Sequence, residues 1–233
     1  MTWRGYEGSE PRKTDVVEPL DFLSGLTGYS VPPVRDIDWL PYLNEQGFLG
    51  RRWTERLFDA CQGAVFHDPG NQFTDLWQHY VRYPPPDIQK ALFARALFRT
   101  WNAGPEYNLA RAWQRGDMLA FAQCRALFVN EVMEAAFCWN KSFVPPFKWR
   151  GAHFERLADC PDTVREGIAS LAVAPPSKRV LVVAKDVLAA VKRLVGDRLS
   201  LDLALGEPLS AYAHAVHRQI GNRTIREATS LDW

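Results

Sequence analysis

The chain has 233 residues, 47% of them hydrophobic and 12% aromatic, and its 28 Lys and Arg nearly balance its 27 Asp and Glu. This composition predicts a folded chain with a substantial core and excludes extensive disorder. A formal net charge of +1 gives no overall field toward polyanions. We therefore expect no nucleic acid and no membrane as partners.

The predicted elements change character near residue 85. Residues 1–85 are rich in Gly, Pro and Trp, and the stretches "VPPV", "DPGN" and "YPPP" interrupt short apolar patches. Such a pattern predicts irregular chain with short helices, one of them over residues 44–62, and one or two short strands at most. After the three prolines, the apolar residues recur with helical spacing.

Helices are predicted over residues 87–103, 105–115 and 118–140, and further on over 152–159, 161–172, 176–195 and 208–220. Gly116 is expected to end the second of these helices in a left-handed conformation, and Asp117 to cap the third. The stretch "SFVPPFKW" is expected to be a loop, because its prolines interrupt the helical pattern. The predicted fold class is mainly α: a helical bundle over 86–233, with the irregular region 1–85 packed on it as one folded unit.

The four cysteines lie far apart, form no CxxC pair and follow no signal peptide, which predicts reduced thiols and a cytoplasmic location. Their spacing closes no tetrahedral site, so we expect no metal and no cofactor. Residues 179–195, the most apolar stretch, carry charges at helical spacing and are too few to span a bilayer. This stretch predicts an amphipathic helix that packs on the core.

A polar cluster lies in "YNLARAWQRGD", residues 107–117. At about 100° per residue, Asn108, Arg111 and Arg115 share one stripe of the predicted helix, and Tyr107 lies one turn before Arg111. Two guanidinium groups and an amide on one face can hold a phosphate or carboxylate in bidentate geometry. The alternative is a solvated helix face whose arginines pair with neighbouring carboxylates.

The ordered segments "DWL" (38–40), "GAVFHDPGNQFTDLWQHYVRYP" (63–84), "YNLARAWQRGD" (107–117) and "WNKSFVPPFKW" (139–149) resemble an uncharacterised family. In that family the helical region normally follows a nucleotidyltransferase-like domain, and the resemblance covers residues 15–175. Such domains use a Gly-Ser element and an Asp-x-Asp pair to hold Mg²⁺ and a triphosphate. Here the spacing from "EGSEPRKTD" to Asp36 and Asp38 is too long, so autonomous nucleotidyl transfer is not expected.

Two functions are predicted from different classes. The first is a small-molecule enzyme of specialised biosynthesis that binds an anionic or polar substrate. Its substrate-binding residues would be Tyr107, Asn108, Arg111, Arg115, Asn140, Lys148 and Trp149, and its acid or base would be Asp117, Glu131 or Glu134. In this hypothesis the two arginines are buried and face the "PPFKW" loop. The second is a noncatalytic binding or scaffold protein that partners a separate nucleotidyltransferase or forms a homodimer.

Overall fold

The structure, a computed structural model, describes residues 18–28, 31–43, 53–65 and 67–231. Over these ranges the regular structure is helical, with no strand, which confirms the predicted mainly α class. In the same ranges no helix combines the length and the apolar character that crossing a bilayer requires.

The N-terminal part of the described chain consists of short helices. These are α1 (Pro19–Thr27), a 3₁₀ turn (Asp36–Trp39) that continues into α2 (Leu40–Leu43), α3 (Trp53–Cys61) and α4 (Gln72–Tyr80). α3 confirms the second half of the helix predicted over 44–62, and residues 44–52 lie outside the described residues. Helix α1 begins with a proline in its first turn and ends at Gly28, whose φ of 83° suits a residue without a side chain.

Longer helices form the bundle. They are α5 (Pro86–Ala103), α6 (Asn108–Gln114), α7 (Met118–Trp139), α8 (Phe147–Phe154), α9 (Asp162–Val173), α10 (Lys178–Leu199), α11 (Leu209–Arg218) and α12 (Arg223–Ala228). Helix α5 packs against both α7 and α11, and α10 packs against α9. Helix α7 has apolar side chains around much of its circumference, and both its length and its start at residue 118 agree with the prediction.

The turns on either side of α6 fix its position. Gly116 has a φ of 69°, and the Asp117 side chain accepts a hydrogen bond of 2.9 Å from the Ala120 amide, so both predicted end signals are confirmed. At Gly104, a Cβ atom would lie 2.6 Å from the Thr100 carbonyl oxygen and 3.0 Å from the Phe128 ring. Only glycine therefore allows the α5–α6 turn to lie this close to α7.

One loop prediction is wrong. The segment "SFVPPFKW" was expected to be irregular throughout, but α8 begins inside it at Phe147 and ends at Phe154 rather than near 159. The reason is that Pro146 occupies the N-cap position of α8, where the missing amide hydrogen costs nothing because the first turn has no intrahelical acceptor.

The buried apolar residues form two clusters. The larger lies among α5, α7, α9, α10 and α11. The smaller joins Leu23, Leu57 and Tyr80 to Ile88 of α5 and to Ile220 near the C-terminal end. It contains residues from both sides of the boundary at 85/86, and the division into two regions stays a prediction.

Candidate functional site

Aromatic side chains line a surface cleft of about 330 Å³ at the C-terminal end of α5. Its lining residues are Phe98, Trp101, Asn102 and Tyr107, and we call it the aromatic cleft. The ring centroids of Phe98 and Trp101 lie 5.2 Å apart. Those of Trp101 and Tyr107 lie 4.7 Å apart with 31° between the planes. The three rings form a continuous run, since each lies within stacking distance of the next.

A cation lies at one end of this run. Tyr107 precedes Arg111 by four residues, which is about one helical turn. The guanidinium carbon of Arg111 lies 4.0 Å from the centre of the Tyr107 ring. The Arg111 side chain is exposed, and it makes no ion pair with the part of the chain that the structure describes. Stacking on the ring holds the guanidinium in place and leaves its N–H groups directed to solvent.

The acidic neighbours of Arg111 are engaged elsewhere. Glu106 accepts hydrogen bonds from Lys192 Nζ and, at 2.8 Å, from the Leu209 amide. Asp117 caps α7. Arg111 is therefore on a solvent-exposed helix face, as the alternative predicts, but it pairs with neither of these carboxylates.

An amide pair fixes α6 against α5 beside the cleft. Asn108 Nδ2 donates a hydrogen bond of 3.0 Å to Asn102 Oδ1. Both residues are half-buried, and Asn102 lines the aromatic cleft. The wall formed by Tyr107 is thereby tied to the wall formed by α5.

A charged cluster lies farther back along α5. Arg99, one turn before Asn102, has its guanidinium 4.0 Å from a Glu131 carboxylate oxygen and 3.8 Å from a Glu134 oxygen. Glu131 and Glu134 share one face of α7 because they are three residues apart. Arg99 thus holds both carboxylates, and Glu131 is buried at 5% exposure.

The charged cluster continues to α8 and α3. Arg150 is 4% exposed and donates hydrogen bonds to Glu55 Oε1 at 2.8 Å, to the Pro145 carbonyl at 3.3 Å and to Asn130 Oδ1. Asn130 in turn donates to Glu131 at 3.4 Å. One polar network therefore connects four helices through the interior, and Arg150 is its central donor.

The structure separates the other predicted site residues from the aromatic cleft. Arg115 lies exposed just after α6, and Lys148 and Trp149 are exposed on α8. Asn140 ends α7, where it donates to the Ala136 and Asp159 carbonyls at 2.8 and 2.9 Å. No hydrogen bond, ion pair or ring contact of the described residues joins these four to the cleft.

The predicted burial of Arg111 and Arg115 is wrong, because both are exposed. Helical spacing placed them correctly on one stripe, but it could not decide which neighbour covers that stripe. The packing of α6 on α7 uses Leu109 and Ala112 instead. Sequence reasoning also missed Trp101 and Asn102, whose only signal is that they end a helix just before the polar cluster.

Asp38, one of the two carboxylates of the Asp-x-Asp stretch, has a local partner. Its carboxylate forms a 2.8 Å ion pair with Arg35. Hydrogen bonds from the Arg35 side chain and backbone lower the pKa of Asp38 from 3.8 to about 2. In the described ranges no group of three or more His, Cys, Asp or Glu side chains is arranged to hold a metal ion.

Residues 52–150 match the family model of a domain of unknown function, DUF4037. The match covers less than half of the chain and supports an uncharacterised family over this segment. No curated protein and no solved structure matches the chain. The matched segment contains the aromatic cleft, Arg111 and the whole polar network from Glu55 to Arg150.

Proposed function

We propose that this protein is a small-molecule enzyme whose substrate is planar and anionic and binds in the aromatic cleft. The observation that carries the proposal is the run of three aromatic rings, tilted by 46° and 31° from one to the next, that ends on Arg111. A planar ligand gains apolar burial and aromatic contacts against the rings of Phe98, Trp101 and Tyr107 that line the cleft. A carboxylate or phosphate on that ligand gains charge-assisted hydrogen bonds from the guanidinium. Asn102 adds an amide that can fix the orientation of the ligand.

We assign the acid or base role to Glu134. Its side chain is 13% exposed, against 7% for Glu131, so it is the easier of the two for a ligand to reach. Arg99, which contacts both carboxylates, lies one helical turn from the cleft residue Asn102 on α5, so Glu134 is near the cleft without lining it. Asp117 is less suited because its carboxylate is committed to the α7 cap.

The test uses a matched pair of ligands and a matched pair of variants. Binding of 2-naphthoate and of the neutral 2-naphthamide is measured by isothermal titration calorimetry for the wild-type chain, Arg111→Gln and Arg115→Gln. Both arginines are exposed on the same stripe, and only Arg111 stacks at the cleft. We expect Arg111→Gln to weaken naphthoate binding about tenfold, because a charge-assisted hydrogen bond is lost.

The controls separate site binding from general charge attraction. Arg115→Gln should leave naphthoate affinity unchanged, and naphthamide affinity should be the same in all three proteins. Equal losses of naphthoate affinity in both variants would show that charge alone attracts the ligand. An unchanged naphthoate affinity in Arg111→Gln would contradict the proposed site.

A second candidate function is the noncatalytic scaffold, including a partner role toward a separate nucleotidyltransferase or a homodimer. The observation that favours it is the exposed apolar side chains on the first half of α7, where Leu119 is 73% and Leu127 54% exposed. Sedimentation velocity of the wild-type chain and of the Leu119→Ser, Leu127→Ser double variant tests the homodimer. This candidate predicts association in the wild-type chain only, and a monomer at all concentrations would contradict the homodimer.

A further inference from the structure

A second groove, of about 490 Å³, lies at the other end of α7. Its floor is apolar and its rim is basic, and we call it the basic groove. Its lining residue Phe137 is about two and a half helical turns farther along α7 than Phe128, which packs at the Gly104 turn between α5 and α6. The lining residues are Phe58, Cys61, Gln62, Val81, Tyr83, Phe137, Lys141, Ser142, Phe143, His153, Arg156 and Leu157.

The charges at the rim are all of one sign. Lys141 and Arg156 supply these charges, the His153 imidazole also lines the groove, and none of the lining residues carries a carboxylate. Lys141 and Arg156 are exposed, and neither forms an ion pair with the residues that the structure describes. A concave surface that gathers cations without counter-charges favours an anion over any other small-molecule group.

The floor favours an apolar ligand body. Phe58, Phe137 and Phe143 are buried beneath the groove, and the Tyr83 ring lies 5.1 Å from that of Phe143. Burial raises the pKa of the Tyr83 hydroxyl. This direction indicates that water solvates the inner part of the groove poorly.

The backbone at the rim points to Lys141 in particular. This residue has a φ of 50°, and the amide of the next residue, Ser142, donates to the Phe137 carbonyl at 3.0 Å. This geometry is that of a helix C-terminus with a left-handed residue, a position where glycine is usual and where lysine is conformationally unfavourable. A long basic side chain at this position lies at the rim of the groove rather than farther out in solvent.

We infer that the basic groove binds an apolar molecule with one anionic head group, a carboxylate or a phosphate. The head group lies between Lys141 and Arg156, and the apolar body covers the Phe137 and Phe143 rings. The volume is in the range that small-molecule sites occupy. This site uses none of the residues of the aromatic cleft and therefore stands independently of the function proposed above.

Cys61 provides a readout that is specific to this groove. It is exposed and lines the groove, whereas Cys124, Cys138 and Cys160 are half-buried and are not among the lining residues. The rate of maleimide labelling at Cys61 is followed by mass spectrometry while decanoate, decyl phosphate or neutral 1-decanol is added. Both anions should slow labelling of Cys61 and leave the rate at Cys124 unchanged.

The charge requirement is tested with the double variant Lys141→Asn, Arg156→Gln. Asparagine tolerates the left-handed backbone at 141, so the change removes charge without new strain. We expect the anion concentration for half-protection to rise about tenfold in this variant. Protection by decanol should stay the same, and the exposed, groove-remote Lys185→Gln should behave as wild type.

The outcomes divide clearly. Protection by only one of the two anions identifies the head group. Protection of Cys61 by neither anion, or protection by the anions that is equal in the wild-type chain and the double variant, would overturn the inference. Because the readout and the variants lie outside the aromatic cleft, failure here leaves the naphthoate experiment unaffected, and the converse also holds.

Discussion

Replacing Glu106 by Gln is expected to destabilise the fold far more than an exposed Glu→Gln change should. The Glu106 carboxylate joins three parts of the bundle. It accepts from Lys192 Nζ of α10 and, at 2.8 Å, from the Leu209 amide at the start of α11, and it lies in the turn before α6. The Lys192 side chain is 6% exposed, and its other hydrogen bond is to the Leu205 carbonyl at 3.3 Å.

The magnitude follows from that geometry. Removing one partner of a buried ion pair costs about 3–5 kcal/mol, because the remaining charge is left without compensation. Since the Glu106 side chain is 23% exposed, we take the low end, about 3 kcal/mol, for the loss in unfolding free energy of Glu106→Gln. Glu106→Ala should lose about 1 kcal/mol more, because the Leu209 amide then also loses its acceptor.

Urea unfolding, followed by tryptophan fluorescence and circular dichroism, measures these differences. Adding Lys192→Met to Glu106→Gln should recover part of the loss, because it removes the stranded charge. Glu166→Gln, an exposed glutamate without an ion pair in the described chain, should stay within about 0.5 kcal/mol of wild type. If Glu106→Gln also stays within about 0.5 kcal/mol of wild type, the buried Lys192 does not depend on Glu106 for its stability, which contradicts the prediction.

Three further perturbations have clear expected outcomes. Asp117→Ala should lower the unfolding free energy by about 1 kcal/mol in a urea titration, through loss of the α7 cap. Gly167→Ala should lower the unfolding free energy by about 1–3 kcal/mol, because the added Cβ would lie 2.2 Å from Val187 Cγ2. The control Gly151→Ala should leave it unchanged, because no atom lies within 4 Å of a Cβ added there. Burial lowers the pKa of His217 below 6.5 in the folded chain. The unfolded chain therefore binds this proton at a higher pH than the folded chain does, and the unfolding free energy should fall as pH drops from 7.5 to 5. In thermal melts His217→Gln should flatten that dependence, and an unchanged slope would contradict the assignment.

Local sequence signals predicted the long helices well. Helices α5 and α7 follow from apolar spacing and from end signals within a few residues, such as Gly116 and Asp117. The helices α1 and α4 were not individually predicted, because each is short and lies among Gly and Pro residues that favour turns. Leu23 of α1 and Tyr80 of α4 are buried in the smaller core cluster with Leu57 of α3, and this burial depends on tertiary packing.

The candidate site was predictable only in part. Tyr107, Asn108 and Arg111 were grouped correctly because residues one turn apart on a helix are neighbours. The partnership of Asn108 with Asn102 depends on the tight turn at Gly104, which spacing does not reveal. The Arg150–Glu55 ion pair joins residues 95 positions apart, so no local pattern could indicate it.

The most direct test of the central claim is an NMR titration of ¹⁵N-tryptophan-labelled protein with 2-naphthoate. The chain has nine tryptophans, and the Trp101→Phe variant assigns the relevant indole resonance. We expect the Trp101 indole signal to shift most, because its ring lies between those of Phe98 and Tyr107 in the aromatic cleft. At the same ligand concentration, this shift should be lost in Arg111→Gln. A titration that shifts other indole signals and leaves Trp101 unmoved would contradict the proposed site.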